Sequence, residues 1–103
     1  MQLRDFESAD LDGVYRMLTA SGWAHRIESA GYLQRLIQAS HRTAVAMLDD
    51  QVVGFARAIT DGLSNGYLSM VVVATPWRRQ GVGRALVQHI VGSDVSVTWV
   101  LRA

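Results

Sequence analysis

The chain contains no cysteine and no lysine, and both absences narrow the chemistry that it can carry. Without cysteine, these 103 residues can form no disulfide, no thiolate metal site and no cysteine nucleophile. Without lysine they cannot form a Walker-type phosphate loop, which needs a lysine to reach the phosphates. Any basic binding chemistry in this chain therefore depends on its ten arginines.

Long apolar runs and a strong net charge are missing as well. No stretch approaches the roughly 18 apolar residues that a membrane-spanning helix needs. Arg4, Asp5 and Glu7 interrupt the region where a secretion signal would be apolar. A net charge of +1 creates no overall field that would attract nucleic acid or an anionic membrane. We therefore expect a cytoplasmic protein without a nucleic-acid or membrane partner.

Half of the residues are hydrophobic and only 18% are charged, which is enough apolar material for a core. The length fits one domain over residues 1–103. The histidines, His25, His41 and His89, are far apart and show no metal-ligand spacing, so we expect no metal site.

The hydrophobic pattern predicts a mixed α/β sheet in the order β-α-α-β-β-β-α-β. Ser8 and Ser29 are the predicted N-caps of the first two helices, and Gly22 is the predicted end of the first. Gly54 indicates a bulge or close backbone packing inside a strand. The predicted elements are a strand within residues 1–6, helices over 9–21 and 30–40, strands over 43–48, 52–60 and 67–74, a helix over 81–91 and a strand over 95–101. Short turns between the middle strands predict antiparallel pairing, and the last strand–helix–strand unit predicts parallel pairing.

The most informative segment is residues 71–86, which read VVVATPWRRQGVGRAL. An apolar, β-branched run ends at Pro76, and arginine-flanked glycines then open a helix. The first turn of a helix leaves backbone N–H groups without partners, and its dipole adds positive charge at the same end. Glycines allow a ligand oxygen to approach the backbone closely. The segment predicts a phosphate or pyrophosphate cradle, whereas a solvated basic cluster is the simpler alternative.

The pattern Arg78-x-x-Gly81-x-Gly83 resembles the acyl-CoA pyrophosphate loop of the GNAT acyltransferases. The predicted element order is also similar to that of the GNAT fold from its first strand to its fifth. One departure is that Thr75 stands where the family usually has proline, and Pro76 follows one residue later. The family normally continues with a further helix and two strands, so the resemblance implies a GNAT-like domain truncated after the fifth strand.

The resemblance implies an N-acetyltransferase. In such an enzyme the primary amine of a small molecule or peptide attacks acetyl-CoA directly, in a ternary complex. By position, the residues that would hold the cofactor are Arg78, Arg79, Gln80, Gly81, Val82, Gly83 and Arg84 in the loop, and Val71, Val72 and Val73 in the fourth strand. A strand N–H near Val71 or Val73 would polarise the thioester carbonyl.

The general base is less evident, because many family members carry acidic residues early in the fourth strand. Here that stretch is Tyr67-Leu68-Ser69-Met70, without a carboxylate. Ser69 can position a water molecule but is a poor base. Tyr67 and His25 are the other catalytic candidates, against the simpler interpretations of a strand-packing tyrosine and a solvated loop histidine.

Two alternatives remain open at the level of sequence. The missing carboxylates favour a non-catalytic acyl-CoA-binding or dimerisation module, and an open sheet edge makes a homodimer plausible. The arginine cluster would suit a nucleic-acid contact only if a wider basic surface accompanied it.

Overall fold

The computed structural model describes residues 1–93 and 95–101. Five strands and four α-helices form its framework. The strands are β1 (Gln2–Asp5), β2 (Arg42–Leu48), β3 (Gln51–Thr60), β4 (Asn65–Val73) and β5 (Thr98–Leu101), and the helices are α1 (Leu11–Leu18), α2 (Ala24–Ile27), α3 (Ala30–Ala39) and α4 (Val82–Val91). Apart from the additional single turn of α2, this is the predicted element order.

The strands form one sheet in the order β1-β2-β3-β4-β5. The first four strands pair antiparallel, and β5 pairs parallel to β4 after the α4 crossover. The predicted mixed α/β class and both predicted pairing senses are confirmed.

Helices cover both faces of the sheet. Helices α1 to α3 pack on one face, where Phe55 of β3 is fully buried beside Val14, Leu18 and Leu33. Helix α4 packs on the other face, where its buried side chains meet the alanines of β2 and β3. Burial of two apolar faces against one sheet is the main stabilising contribution in such a layered fold.

The start of α1 differs from the prediction. A 3-10 turn over Ser8–Asp10 precedes the helix, and Ser8 makes no side-chain cap. Instead, the Asp10 carboxylate accepts the Glu7 N–H at 2.8 Å and binds the two Nη groups of Arg4 at 2.7 and 2.8 Å. The bond from the Glu7 N–H is one half of a capping box in which Glu7 is the N-cap and Asp10 the third residue, so the helical path begins one residue before the predicted cap Ser8.

The next two predicted boundaries are confirmed. A π-helical turn over Thr19–Trp23 continues α1, and Gly22 breaks this helical path with φ at +88°, a conformation that glycine adopts at little cost. The Ser29 Oγ accepts the N–H of Tyr32 at 3.1 Å and caps α3. The sequence predicts a loop between these two residues, but Ala24–Ile27 forms the single helical turn α2 because Ile27 is buried against the core.

Gly54 lies where α4 crosses the sheet. A Cβ on Gly54 would stand 2.9 Å from Leu86 Cδ1 and 3.1 Å from Val82 Cγ1. The β2–β3 register shifts beside it, between Ala46 and Met47. The predicted bulge and close packing are therefore both present, and they allow α4 to approach the sheet.

The last strand is shorter than predicted, because only Thr98–Leu101 of the alternating 95–101 segment pairs with β4. The Ser64 carbonyl accepts the Thr98 N–H at 2.8 Å and marks the start of this pairing. Asp94, which the prediction placed in the preceding turn, lies outside the described residues.

Candidate functional site

Strand β4 changes register in its middle. Arg57 of β3 pairs with Met70, whereas the next residue, Ala58, pairs with Leu68. Ser69 is therefore an extra residue on β4, which defines a β-bulge. The parallel pairing with β5 covers only Asn65 to Leu68. Among the described residues, the edge of β4 beyond Leu68 has no strand partner, so its backbone is open to a ligand.

The open edge can be assigned to particular backbone groups. The Ala74 N–H donates to the Val53 carbonyl of β3 at 2.8 Å. Because N–H directions alternate along a paired strand, the N–H groups of Val71 and Val73 point away from β3, toward the open edge. The Val73 carbonyl accepts a 3.0 Å hydrogen bond from Arg78 Nε, which ties the following loop to this edge.

The loop from Arg78 to Arg84, here called the arginine loop, carries two left-handed residues before α4. Arg79 has φ at +65° and Gly81 has φ at +86°. Gly81 is the N-cap of α4, and its carbonyl accepts the Ala85 N–H at 3.0 Å. Within the described part of the chain, no hydrogen bond uses the N–H groups of Val82, Gly83 and Arg84. These first-turn donors form the kind of site that binds anions.

Gly83 places this helix start directly over β4. A Cβ on Gly83 would lie 3.7 Å from Val73 Cγ2 and 4.0 Å from Val71 Cγ1. The free N–H groups and the open strand edge therefore belong to one continuous surface. Val72 points to the opposite face, where it is 4% exposed in the core.

The side chains of the arginine loop add positive charge. Arg78, Arg79, Gln80 and Arg84 are all exposed. The Gln80 side chain donates to the Pro76 carbonyl at 3.3 Å. The arrangement of free main-chain donors, three guanidinium groups and the helix dipole can bind a polyanion such as a diphosphate.

On the α1–α3 face, a cavity of about 340 Å³ opens beside the β4 bulge. We call it the Arg57 cavity. Its walls are Trp23, Arg26, Ile27, Tyr32, Leu36, Arg57, Ser69 and Met70. Because Ser69 and Met70 form the bulge, the cavity ends at the point where the open edge of β4 begins.

Arg57 is the most unusual residue of this cavity, since it is only 7% exposed. Its Nε donates to Ser40 Oγ at 2.7 Å and its Nη1 donates to Ser69 Oγ at 2.8 Å. Burial lowers the pKa of the Arg57 guanidinium, and the nearby phenols of Tyr32 and Tyr67 partly offset that effect. Arginine still remains charged at neutral pH.

The three candidate catalytic residues lie in different surroundings. Ser69 lines the Arg57 cavity, where its hydroxyl oxygen accepts a hydrogen bond from a cation. Tyr67 lies two residues earlier on β4 and borders a separate groove with Ile59 and Val100. His25 is exposed on α2 and does not line the cavity, although its neighbours Trp23 and Arg26 do.

Arg57 is a site residue that the sequence prediction misses. The only indication of this role in the sequence is an arginine in the middle of the apolar strand Gln51–Thr60. Burial of such a residue depends on which face it occupies, and the face follows from the register with β4.

A larger concavity of about 870 Å³ lies beside α1, at the end of β4 that leads into the loop. Asp12, Arg16 and Asp50 are among its lining residues, so its charge is mixed. It does not include the free N–H groups of the arginine loop.

Membrane-spanning helices and metal-binding clusters are both absent from residues 1–93 and 95–101. None of the helices there is both long and apolar enough to cross a bilayer. The same residues contain no group of three or more histidine or acidic side chains that could hold a metal ion.

Comparison with known proteins agrees with this geometry. The sequence model described as "Acetyltransferase (GNAT) family" matches residues 5–94. No curated protein matches the chain significantly.

Solved structures share the fold at low sequence identity. A GNAT family protein from Streptococcus pneumoniae TIGR4 has a TM-score of 0.80 at 24% identity, with 99% of this chain and 74% of that chain covered. A ribosomal-protein-alanine N-acetyltransferase from Brucella melitensis biovar Abortus 2308 has a TM-score of 0.78 at 21% identity, with 100% of this chain and 80% of that chain covered. An aminoglycoside 6'-N-acetyltransferase complexed with coenzyme A has a TM-score of 0.74 at 23% identity, with 86% of this chain and 52% of that chain covered.

Proposed function

The chain belongs to the GNAT acetyltransferase family, and from this premise we propose that it transfers an acetyl group from acetyl-CoA to a primary amine of a small molecule or peptide. The observation that carries the proposal is the junction of free first-turn N–H groups in α4 with the open edge of β4. The fold relative solved with coenzyme A supports the same class of ligand.

The residues of this junction fit the chemistry of an acyl-CoA. The N–H groups of Val82, Gly83 and Arg84, with the guanidinium groups of the arginine loop, would bind the diphosphate. The Val71 carbonyl and the Val73 N–H, which face the open edge, would pair with the amide groups of the pantetheine arm. Bound acyl-CoA supplies an activated thioester. The Val71 N–H, which points to the open edge beside the bulge, would stabilise negative charge on the thioester oxygen.

The acceptor amine would enter through the Arg57 cavity, which ends at the bulge. The acceptor must reach the thioester as the neutral amine, because only that form has a free electron pair for the attack. The Ser69 hydroxyl, whose oxygen is occupied by Arg57, would donate its own hydrogen to the acceptor or to a water molecule. Tyr67 and His25 remain candidates for proton transfer through water.

A second candidate is a binding module that holds acyl-CoA without catalysis. It is favoured by the walls of the Arg57 cavity, where the described residues include no carboxylate and no histidine that could act as a base. This candidate shares the acyl-CoA site and differs only in the absence of turnover.

The site is tested by charge reversal at Arg84. Arg84→Glu places an acidic residue in the first turn of α4, where the helix dipole favours it, so the helix should persist. The same change puts a negative charge beside the diphosphate, and we expect coenzyme A affinity to fall at least about tenfold in titration calorimetry. Arg35→Glu on the exposed face of α3 is the charge-matched control and should bind normally. Unchanged affinity in Arg84→Glu would overturn the proposed cradle.

Turnover is tested separately. The chain is incubated with acetyl-CoA and a panel of primary amines, and amide products are detected by chromatography and mass spectrometry. Amide formation that Arg84→Glu reduces supports the enzyme. Coenzyme A binding without any amide product supports the second candidate.

A further inference from the structure

The guanidinium of Arg57 is a buried cation without an anionic partner among the described residues. Arg57 is 7% exposed, and its hydrogen bonds within that part of the chain go to two neutral serine hydroxyls. No carboxylate there forms an ion pair with it, and its Nη2 group has no hydrogen bond to the same residues. Burying a charge is costly unless it is paired, so such an arginine indicates a missing anion.

The surroundings of Arg57 strengthen this interpretation, because the cavity carries a second cation. The guanidinium of Arg26 lies 5.1 Å from the ring centroid of Trp23, and both residues line the cavity. Two guanidinium groups therefore border a space of about 340 Å³ whose described walls include no acidic side chain. A cavity of this kind raises the local concentration of anions.

The remaining walls define what else the ligand must carry. Ile27, Leu36 and Met70 are apolar, and Trp23 and Tyr32 add aromatic surface. Ser69 joins the cavity to the bulge, next to the open edge of β4. An acceptor with its anion on Arg57 would therefore place an apolar group against the α2–α3 wall and its amine toward the thioester carbon, whose oxygen would face the Val71 N–H.

We propose that the acceptor of this enzyme carries a carboxylate, which binds Arg57, so that the substrate class is amino-acid-like amines with an apolar side group. The proposal rests on the acetyltransferase function above for the chemistry of the amine. It rests on Arg57, with Arg26 as the second cation of the cavity, for the carboxylate. Arginine and a carboxylate form paired, parallel hydrogen bonds, which neutral acceptors cannot reproduce.

The first experiment compares leucine with leucinamide as ligands of the unaltered chain, by titration calorimetry without an acyl donor. The two probes share the amine and the side chain and differ only in the carboxylate. Because charge-assisted hydrogen bonds of a buried arginine are at stake, we expect leucine to bind at least about tenfold more tightly. Equal or tighter binding of leucinamide would overturn the proposal. A preference for O-phosphoethanolamine over leucine would also overturn it, by replacing the carboxylate with a phosphate.

The second experiment neutralises the cation. Arg57→Gln keeps an amide donor for Ser69 and Ser40 but removes the charge, and we expect it to abolish the preference for leucine over leucinamide. Arg57→Lys restores the charge but not the planar guanidinium group, and we expect it to recover part of the preference for leucine. Arg35→Gln is the control for loss of a distant arginine. A preference that survives in folded Arg57→Gln would contradict the proposal.

Folding of the Arg57 variants is checked by circular dichroism and thermal unfolding. If neither variant folds, Arg26→Gln takes their place, because Arg26 is exposed, and we expect it to weaken leucine more than leucinamide. An equal effect on both probes would then count against the proposal.

The outcomes separate this inference from the proposed function. Amide formation from leucinamide but not from leucine would support the acetyltransferase function and contradict the proposed carboxylate on the acceptor. Selective leucine binding without coenzyme A binding would support the carboxylate site at Arg57 and contradict the acetyltransferase function.

Discussion

The Nη1 group of Arg57 donates a 2.8 Å hydrogen bond to the Oγ of Ser69, which joins the centre of β3 to the bulge of β4. An oxygen that accepts from a guanidinium is a weak proton acceptor, because taking a proton would bring two positive charges together. The Ser69 hydrogen stays available for donation. The contact therefore favours a positioning role for Ser69 over a role as general base.

We expect the Arg57–Ser69 hydrogen bond to contribute measurably to the free energy of unfolding. Ser69→Ala removes a neutral acceptor from a buried cation, and we expect the free energy of unfolding to fall by about 1 kcal/mol in urea denaturation. Ser40→Ala should cost at least as much, because the Ser40 Oγ accepts from Arg57 and also donates to the Leu36 carbonyl at 2.7 Å.

Ser8→Ala is the matched control, since Ser8 is exposed and makes no cap. It should change stability by less than about 0.5 kcal/mol. If Ser69→Ala behaved like Ser8→Ala, the Arg57–Ser69 bond would contribute nothing to the fold.

Two glycines of the arginine loop should respond in opposite directions to the same substitution. Gly81 has φ at +86°, and a Cβ added to it would meet no atom of the described residues within 4 Å, so Gly81→Ala introduces backbone strain alone. We expect that strain to cost about 1–2 kcal/mol. Gly83 is in the first turn of α4, and its Cβ would meet Val73 at an ordinary 3.7 Å. Gly83→Ala should therefore be neutral or stabilising by up to about 1 kcal/mol.

Thermal and urea unfolding of the two variants measure this difference. We also expect Gly83→Ala to retain coenzyme A binding, because the substituted Cβ faces β4 and the first-turn N–H groups stay free. Loss of stability in both variants alike would mean that α4 begins in a different conformation from the one described.

Much of this site could be predicted from sequence because it depends on local backbone chemistry. Glycines at residues 81 and 83, after a β-branched run and among arginines, specify a helix start with free donors, and the Gly81 conformation agrees with that prediction. Ser29 and Gly22 act at a helix start and a helix end through equally local effects.

The rest of the site depends on pairing between distant segments. The bulge at Ser69 exists only relative to β3, and no residue type in Tyr67–Met70 marks it. The same register determines which face Arg57 occupies. Ser8 shows a different limit, because the N-cap is Glu7, and its capping-box partner Asp10 is held by an ion pair with Arg4 that the local pattern does not reveal.

Stability should fall in acid through two aspartates. The ion-paired hydrogen bonds from Arg4 lower the pKa of Asp10, and the backbone N–H groups of Leu63, Ser64 and Asn65 lower that of Asp61. A carboxylate whose folded pKa lies below its ordinary 3.8 stabilises the fold fully at pH values above 3.8. The contribution disappears as the pH falls from 3.8 through the folded pKa values, because the unfolded chain then binds more protons.

Guanidinium chloride unfolding from pH 7 to pH 2 measures this dependence. Asp10→Asn should be less stable than the unaltered chain at pH 7, and the gap between the two should narrow below pH 3.8. Asp12→Asn, at an exposed position in the first turn of α1, is the control; it loses only an interaction with the helix dipole, so its gap from the unaltered chain should be smaller than that of Asp10→Asn. A gap that stayed constant down to pH 2 would show that Asp10 stabilises the fold without its charge.

The pH dependence of transfer should report on the acceptor amine. The described walls of the Arg57 cavity include neither a carboxylate nor a histidine, so we expect kcat/KM to rise with pH as the amine loses its proton, without an inflection near pH 6.5, where an imidazole ordinarily titrates. His25→Gln should leave this profile unchanged, because His25 is exposed on α2 and does not line the cavity. An inflection near pH 6.5 that disappears in His25→Gln would instead assign His25 as the base, acting through water.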